Sequence, residues 1–336
     1  MGKLEKIIEE LKHRIDRNVY PSEIRLPSEY DLADELGVNR ITLNKAVNKL
    51  IADGYLRRGS SSRDGTYVCD RSNAARGILG MLIRCSNLYA CRMLNGVLDG
   101  ASRNNYLLTV MSPSPEELPL AIQKMTANNV QGIFLSSYGN IPLNAPGVYI
   151  DSFRHSDPSR NSISADVYSG GLEMARALLE AGHREIAFCM YSSFPVEKNA
   201  RCAAFLRAMQ DHNIPSPEQH FFYTNHRESA QILQMIFSAF PHTTAIIGEN
   251  DALTFRLYTE MRKTDPLNAE RITFGGFGNQ KEVQDIHPFV TLEQHPYEVG
   301  CRAVELFLES RTDNGIRHEL IPTSPVNLDR IKKPFR

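Results

Sequence analysis

No stretch of the chain approaches the roughly 20 consecutive apolar residues that a membrane-spanning helix needs. Its first residues form a polar, amphipathic segment rather than an export signal. These absences predict a cytoplasmic protein with no membrane partner. The six cysteines (Cys69, Cys85, Cys91, Cys189, Cys202 and Cys301) form no CxxC and show no paired histidine spacing, so neither a zinc site nor another metal site is expected. Several sit inside apolar runs, as buried free thiols do in a reducing compartment. Catalytic signatures are missing as well. There is no Gly-x-Ser-x-Gly, no Walker loop and no Gly-x-Gly-x-x-Gly after the first strand of the body, where Arg84-Cys85-Ser86-Asn87 stands instead. Glu249 and Asp251 are close carboxylates in sequence, but their directions are not fixed by spacing. The chain is therefore expected to be no enzyme and to carry no cofactor.

Charge of one sign is also lacking overall: the formal net charge is -1 across 336 residues. The distribution is less even. Between positions 40 and 63 the cations Arg40, Lys45, Lys49, Arg57, Arg58 and Arg63 face a single anion, Asp53, which makes that stretch a candidate for phosphate contact. With 42% hydrophobic and 23% charged residues the composition is that of an ordinary globular protein. The length suits a small head and a larger body.

In the head, Leu4, Ile7, Ile8, Leu11 and Ile15 recur at helical spacing. Pro27 and Ser28 start a second helix, with Asp31 at capping-box spacing from Ser28. Gly37 and Val38 make a turn, and Asn39 suits the N-cap of a third helix beginning at Arg40. That helix would bury Leu43, Ala46, Val47, Leu50 and Ile51 and turn Arg40, Thr42, Asn44, Lys45, Asn48 and Lys49 outward. Gly54 suits the left-handed position after its end. Residues 55–58 and 66–70 then read as a two-stranded wing with 59–65 as its tip. Helix, turn, helix and wing together are the layout of a DNA reader.

Arg25-Leu26-Pro27-Ser28-Glu29, Leu36-Gly37-Val38-Asn39-Arg40-Ile41-Thr42-Leu43, Gly54-Tyr55-Leu56-Arg57-Arg58 and Asp64-Gly65-Thr66-Tyr67-Val68 stand in an order that resembles the winged helix-turn-helix of the GntR family. The resemblance implies double-stranded DNA as partner, contacted through Ser28, Glu29, Arg40, Thr42, Asn44, Lys45, Arg63, Gly65 and Thr66. Arg40 can pair bidentately with guanine, Glu29 can accept from a cytosine amino group, and Asn44 can pair with adenine. The family often has Arg where Asn44 stands and Lys where Asp64 stands, so the operator is not implied.

After a polar linker at 70–76, short apolar runs at 78–83, 107–111, 132–135, 148–150, 186–190, 245–248 and 272–277 alternate with amphipathic helical segments. That is the signature of an α/β fold with parallel sheets covered on both faces. The predicted domains are a DNA-binding head at 1–69, the linker, and a two-lobed body at 77–336 with a ligand cleft at the carboxyl ends of its strands. Gly182-His183-Arg184-Glu185-Ile186-Ala187-Phe188, Arg201 with Phe205, Glu249-Asn250-Asp251-Ala252-Leu253, Gly275-Gly276-Phe277 and the words around Gly300 resemble the effector domain of the LacI family, similar in fold to periplasmic sugar-binding proteins.

That resemblance implies chain crossings between lobes near 166, 294 and 323, and hinges at 165–168, 293–296 and 322–325. It also implies a homodimer, with contact faces expected at 94–101 and 118–125. The effector pocket would draw on Ser86, Asn87, Tyr89, Asp151, Arg154, Arg201 and Asp251, whose chemistry suits a sugar or sugar derivative. Asp251 equally reads as the N-cap of a helix starting at Ala252, and Asp151 with Arg154 as a surface ion pair. His183 is expected in a loop, as a ligand to nothing. Two acidic residues often follow Gly-Phe in the family, where Gly278 and Asn279 stand here. The expected function is a transcriptional regulator, of repressor sign, whose operator affinity a small molecule controls. The alternative is a solute-binding receptor of a transport system.

Overall fold

The amphipathic stripe of the first helix is what closes the head. In the computed structural model, which describes residues 2–60, 64–70, 75–136, 138, 143, 145–150, 159–191, 196, 199–224 and 227–335, α1 (Lys3–Asp16) buries Ile7 and Leu11. They meet Leu32 and Ala33 of α2 (Glu29–Glu35) and Leu43, Ala46, Val47 and Leu50 of α3 (Arg40–Ala52). Ile51 stays half-buried at the edge of this cluster. Ser28 caps α2 by accepting from the Asp31 amide at 3.2 Å, and Asn39 caps α3 by accepting from the Ile41 amide at 2.8 Å. Gly54, at φ +72°, turns the chain out of α3. The wing strands β1 (Leu56–Arg58) and β2 (Thr66–Val68) pair antiparallel, setting Leu56 opposite Val68, and both side chains seal the core. They are shorter than expected, and residues 24–26 also run beside β2: the amides of Leu26 and Val68 donate to the carbonyls of Thr66 and Ile24.

Contacts divide the chain into two compact units, Met1–Arg76 and Gly77–Arg336. The predicted linker residues 71–74 lie outside the described residues. The second unit begins with β3 (Ile78–Ile83), α4 (Leu88–Arg103), β4 (Leu107–Met111), α5 (Leu118–Ala127), β5 (Val130–Ser136), β6 (Gly147–Ile150) and β7 (Asn161–Ala165). It continues with α6 (Val167–Glu180), β8 (Ile186–Met190), α7 (Ala200–Asp211), β9 (Phe221–Tyr223), α8 (Ser229–Ala239) and β10 (Ala245–Gly248). α9 (Asp251–Thr264), α10 (Pro266–Arg271), β11 (Thr273–Gly275), α11 (Lys281–Gln284), β12 (Thr291–Glu293), α12 (Pro296–Asp313), β13 (His318–Ile321) and β14 (Ser324–Val326) complete it. The fold is α/β.

Two parallel sheets result, in the orders β13-β7-β6-β5-β3-β4 and β11-β10-β8-β9. Each is the core of a lobe. Their central strands are apolar on both faces, as a sheet covered by helices on each side requires: β8 and β10 are buried at every position. Five strands were not expected from the sequence: β7, β9, β12, β13 and β14. β7 and β13 are polar and short, and β12 pairs with β14 as a separate antiparallel ladder.

The chain passes between lobes three times, from β7 into α6, from β12 into α12, and from β13 into β14. Two of these passages are bonded together. The Asp166 amide donates to the Ile321 carbonyl at 2.8 Å, and the Thr323 hydroxyl donates to the Asp166 carbonyl at 2.8 Å. At the third, His295 adopts φ +49° and Gln294 is buried.

In the segments expected to join two subunits, the sides that carry the small residues of α4 and the buried apolar residues of α5 are turned inward. Gly96 and Gly100 of α4 pack on α12 of the same chain, so closely that a Cβ on Gly96 would lie 2.0 Å from the Tyr297 carbonyl oxygen. In α5, Leu118, Ala121, Ile122 and Met125 cover the lobe's own core. The small residues at 94–101 thus serve helix packing within one subunit. Among the described residues, the apolar side chains left exposed in this region are Leu88 and Leu98 of α4, Leu107 and Val110 of the edge strand β4, and Leu120 of α5.

Candidate functional site

Ion pairing sorts the cations of the head. Lys49 pairs with Asp53 at 3.0 Å, Arg58 with Glu29 at 3.1 Å, and Arg57 with Glu23. Arg40 and Lys45, both exposed on α3, are held by no salt bridge among the described residues. Their charge is therefore the most available for a phosphate or a base edge.

Glu29 and Asn44 are committed to each other. The Asn44 amide nitrogen donates to both Glu29 oxygens, at 2.9 and 3.1 Å, while its oxygen accepts from Asn48 at 2.9 Å. Arg58 closes the network by donating to Glu29 (3.1 Å), Asn48 (3.1 Å) and the Thr66 hydroxyl (2.8 Å). Burial alone would raise the Glu29 carboxyl, but the bonds from Asn44 and Arg58, with the charges of Arg58 and Arg40, hold it below its ordinary range. A base contact by Glu29 or Asn44 requires exchange of these bonds. Ser28 is engaged at the start of α2, its hydroxyl donating to the Asp31 carboxylate at 2.6 Å. Thr42 is half-exposed on α3. Thr66 is buried and anchors Arg58. Gly65, at φ +83°, lies under the Arg25 guanidinium, where a Cβ would meet Nε at 2.4 Å. Arg63 lies outside the described residues.

In the body, the carboxyl ends of the strands bring a second group together. Asn199 caps α7, accepting from the Arg201 amide at 3.1 Å and donating to Glu249 at 3.2 Å. Glu249, after β10, also accepts from the Tyr191 amide at 2.9 Å. The Arg201 guanidinium sits 5.4 Å from the centre of the Phe277 ring and donates to Gln294, at 3.3 Å. One side chain thus joins α7, the loop after β11 and a crossing between lobes. Glu293 accepts from Asn279 at 3.0 Å and from the backbone amides of Gln294 and His295.

Asp251 is fully buried at the first position of α9. The cap of that helix is Asn250, which accepts from the Leu253 amide at 2.9 Å; the N-cap reading of Asp251 was one residue out of register. Its carboxylate accepts from Thr291 (2.7 Å), the Gln280 amide (2.8 Å) and Gln284 (3.5 Å). Burial pushes this carboxyl up despite those bonds, and Glu293 acts in the same direction. Asn87 caps α4 through the Ala90 amide at 2.9 Å, Ser86 is exposed beside it, and Tyr89 packs half-buried on the core. Asp151 and Arg154 lie outside the described residues. His183 is in a loop but fully buried, bonded to Thr244 at 2.8 Å and to the Lys332 carbonyl at 2.9 Å.

The family model described as bacterial regulatory proteins, gntR family, matches residues 3–68, and that of the periplasmic binding protein-like domain matches residues 175–328. The chain is a DNA-binding transcriptional regulator with a GntR-type head and a periplasmic-binding-protein-like body. The regulator is similar to the arabinose metabolism transcriptional repressor of Halalkalibacterium halodurans, with 22% identity over 89% of this chain and 87% of that one. It is similar to the repressor PurR of Histophilus somni strain 2336, with 20% identity over 88% and 95% of the two chains. The fold of its body is that of a LacI family regulator from Enterococcus faecium with bound ribose (TM-score 0.65, 20% identity, 78% of this chain and 100% of that chain). The attached head sets aside the transport-receptor alternative, and the relatives are regulators rather than enzymes.

Sequence reasoning missed Arg58 as the hub of the head, and Asn199, Gln294 and Phe277 around Arg201. Their roles come mainly from contacts between residues distant in sequence, up to 93 positions apart. The Glu23, Glu29 and Asp53 partners were the available signal for the cations, since three acids near six cations leave half of them uncommitted.

Proposed function

We propose that the regulator is a cytoplasmic repressor that works as a homodimer and loses or gains its grip on an operator when a sugar binds between the lobes of its body. The observation that carries this is the Arg201–Gln294 bond at 3.3 Å. A guanidinium of the kind that forks vicinal hydroxyls touches a buried residue at a crossing between lobes, while it rests on the buried Phe277 ring. A ligand that takes over the Arg201 bonds acts directly on that crossing. The relatives named for arabinose metabolism, and the ribose- and cellobiose-bound neighbours in fold, support a carbohydrate. No helix of the described residues is long and apolar enough to cross a membrane.

On the DNA side, Arg40 and Lys45 would contact the duplex directly, with Thr42 and the wing around Arg63 and Gly65 setting register. Glu29, Asn44 and Thr66 would support them through the Arg58 network, and Ser28 by capping α2. In the pocket, Arg201 would hold hydroxyls together with Glu249. Asp151 and Arg154, which follow β6 in the sequence, would join, with Ser86 and Tyr89 at the rim, while Asn87 and Asp251 would shape the walls. The exposed Leu88, Leu98, Leu107, Val110 and Leu120 would meet their counterparts in a second copy.

A thermal-shift screen of the full chain against pentoses, hexoses and their disaccharides tests the reading. A sugar at 100 times its dissociation constant should stabilise the body by about 2.7 kcal/mol. Arg201→Ala should abolish that shift. A shift that survives Arg201→Ala would remove Arg201 from the pocket, and the absence of a shift with every sugar would remove the effector class.

A further inference from the structure

One residue on the recognition helix has a type that its packing does not explain. Ile41, the second residue of α3, is 69% exposed. The core face of α3 is already filled by Leu43, Ala46, Val47 and Leu50. A β-branched side chain is also a weaker helix former than the Ala, Lys or Glu that an exposed position takes at no cost to packing. Its backbone is fixed, since the Ile41 amide is the one held by the Asn39 cap at 2.8 Å.

At helical spacing Ile41 shares a face with Asn44, Lys45 and Asn48, at intervals of three, four and seven. The amides of Asn44 and Asn48 bind each other, and Glu29 and Arg58 take their remaining groups. Two members of the outward face are therefore occupied. Ile41 is apolar and Lys45 is a flexible cation. In the major groove the apolar group that a base edge offers is the C5-methyl of thymine.

We propose that Ile41 packs on thymine C5-methyl groups in the major groove and is a specificity-determining residue of the operator contact. The inference rests on α3 being the helix that reads DNA. It assigns part of that reading to an apolar contact, alongside whatever hydrogen bonds Arg40 makes. Because the contact recognises a methyl group and not a hydrogen-bonding pattern, it distinguishes thymine from uracil in an otherwise identical pair.

The experiment uses the full chain and duplexes enriched by it from a random library. Each thymine in turn is replaced by deoxyuridine, which removes the methyl and leaves base pairing intact. For the wild-type protein, affinity should fall about fourfold at one or two positions, the effect of uncovering one methyl-sized group. Ile41→Ala should bind the thymine and uracil forms equally at those positions while responding like wild type elsewhere. Ile41→Val, which keeps most of the apolar surface, should retain the preference. A wild-type protein indifferent to every methyl, or an Ile41→Ala variant with the full thymine pattern, overturns the inference. The latter result would leave Ile41 as a candidate for a protein contact instead. A library from which no duplex is enriched would sink the DNA-reading role of α3 as well, whereas enrichment without methyl dependence sinks this inference alone.

Discussion

Three histidines show how single residues tune this molecule. His183 is buried between Thr244 and the Lys332 carbonyl, His220 stacks on Phe240 at 4.3 Å, and His287 stacks on Tyr258 at 4.1 Å. Burial lowers all three imidazoles below their ordinary value, outweighing the opposing bonds to Lys332 and Ile186 and the charge of Glu270. The folded protein therefore holds them neutral where the unfolded chain would take up protons. Their contribution to stability is complete above about pH 6.5, the unperturbed value, and is lost progressively as the pH falls below it. Urea unfolding of the body at pH 7.5 and 5.5 should show a lower midpoint at the acidic pH, and His183→Gln should reduce the difference. A midpoint that rises on acidification would contradict this assignment. His183 was legible in the sequence only as a loop residue, because its burial comes from the chain's last residues folding back over it, a contact spanning 149 positions.

At the scale of elements, periodicity was a dependable guide wherever one face of a helix or both faces of a strand are buried. The stripe of α1, the caps at Ser28 and Asn39 and the strands β3, β4 and β8 are where the residues predict them. The strands missed, such as β7 and β13, carry serine, asparagine, histidine and glutamate, and pair because neighbours on the sheet present free edges. The helix pair α4–α12 shows the same limit. Its small residues looked like an interface between subunits, but Gly96 and Gly300 let two helices of one chain touch backbone to backbone: a Cβ on Gly300 would lie 2.2 Å from the Met93 carbonyl. Gly96→Ala would gain about 1 kcal/mol in helix propensity. It must nonetheless separate the helices, because the atom it meets is a backbone carbonyl, at an expected cost of about 1–3 kcal/mol before that gain. The net effect should be a lower urea midpoint with the cooperative transition retained. An unchanged or higher midpoint would show that the helices part without loss.

For the whole molecule, the head's motifs and the body's alternation of strands and helices identified both folds, whereas the candidate effector site was only partly readable. Arg201 was found by its resemblance to a family word. Its link to Gln294 was not, because 93 positions and a crossing between lobes separate them. In the proposed reading that link makes the body a sensor, since a ligand that competes for Arg201 would change the bonding of a crossing. A coupling of this kind typically shifts affinity by about 1–3 kcal/mol. The most direct measurement is the affinity of the full chain for a library-enriched operator duplex, with and without a saturating sugar that shifts its melting temperature, for wild type and Arg201→Ala. The account predicts a change of about fivefold or more in the wild type and none in the variant. Equal affinities with and without the bound sugar in the wild type would contradict it.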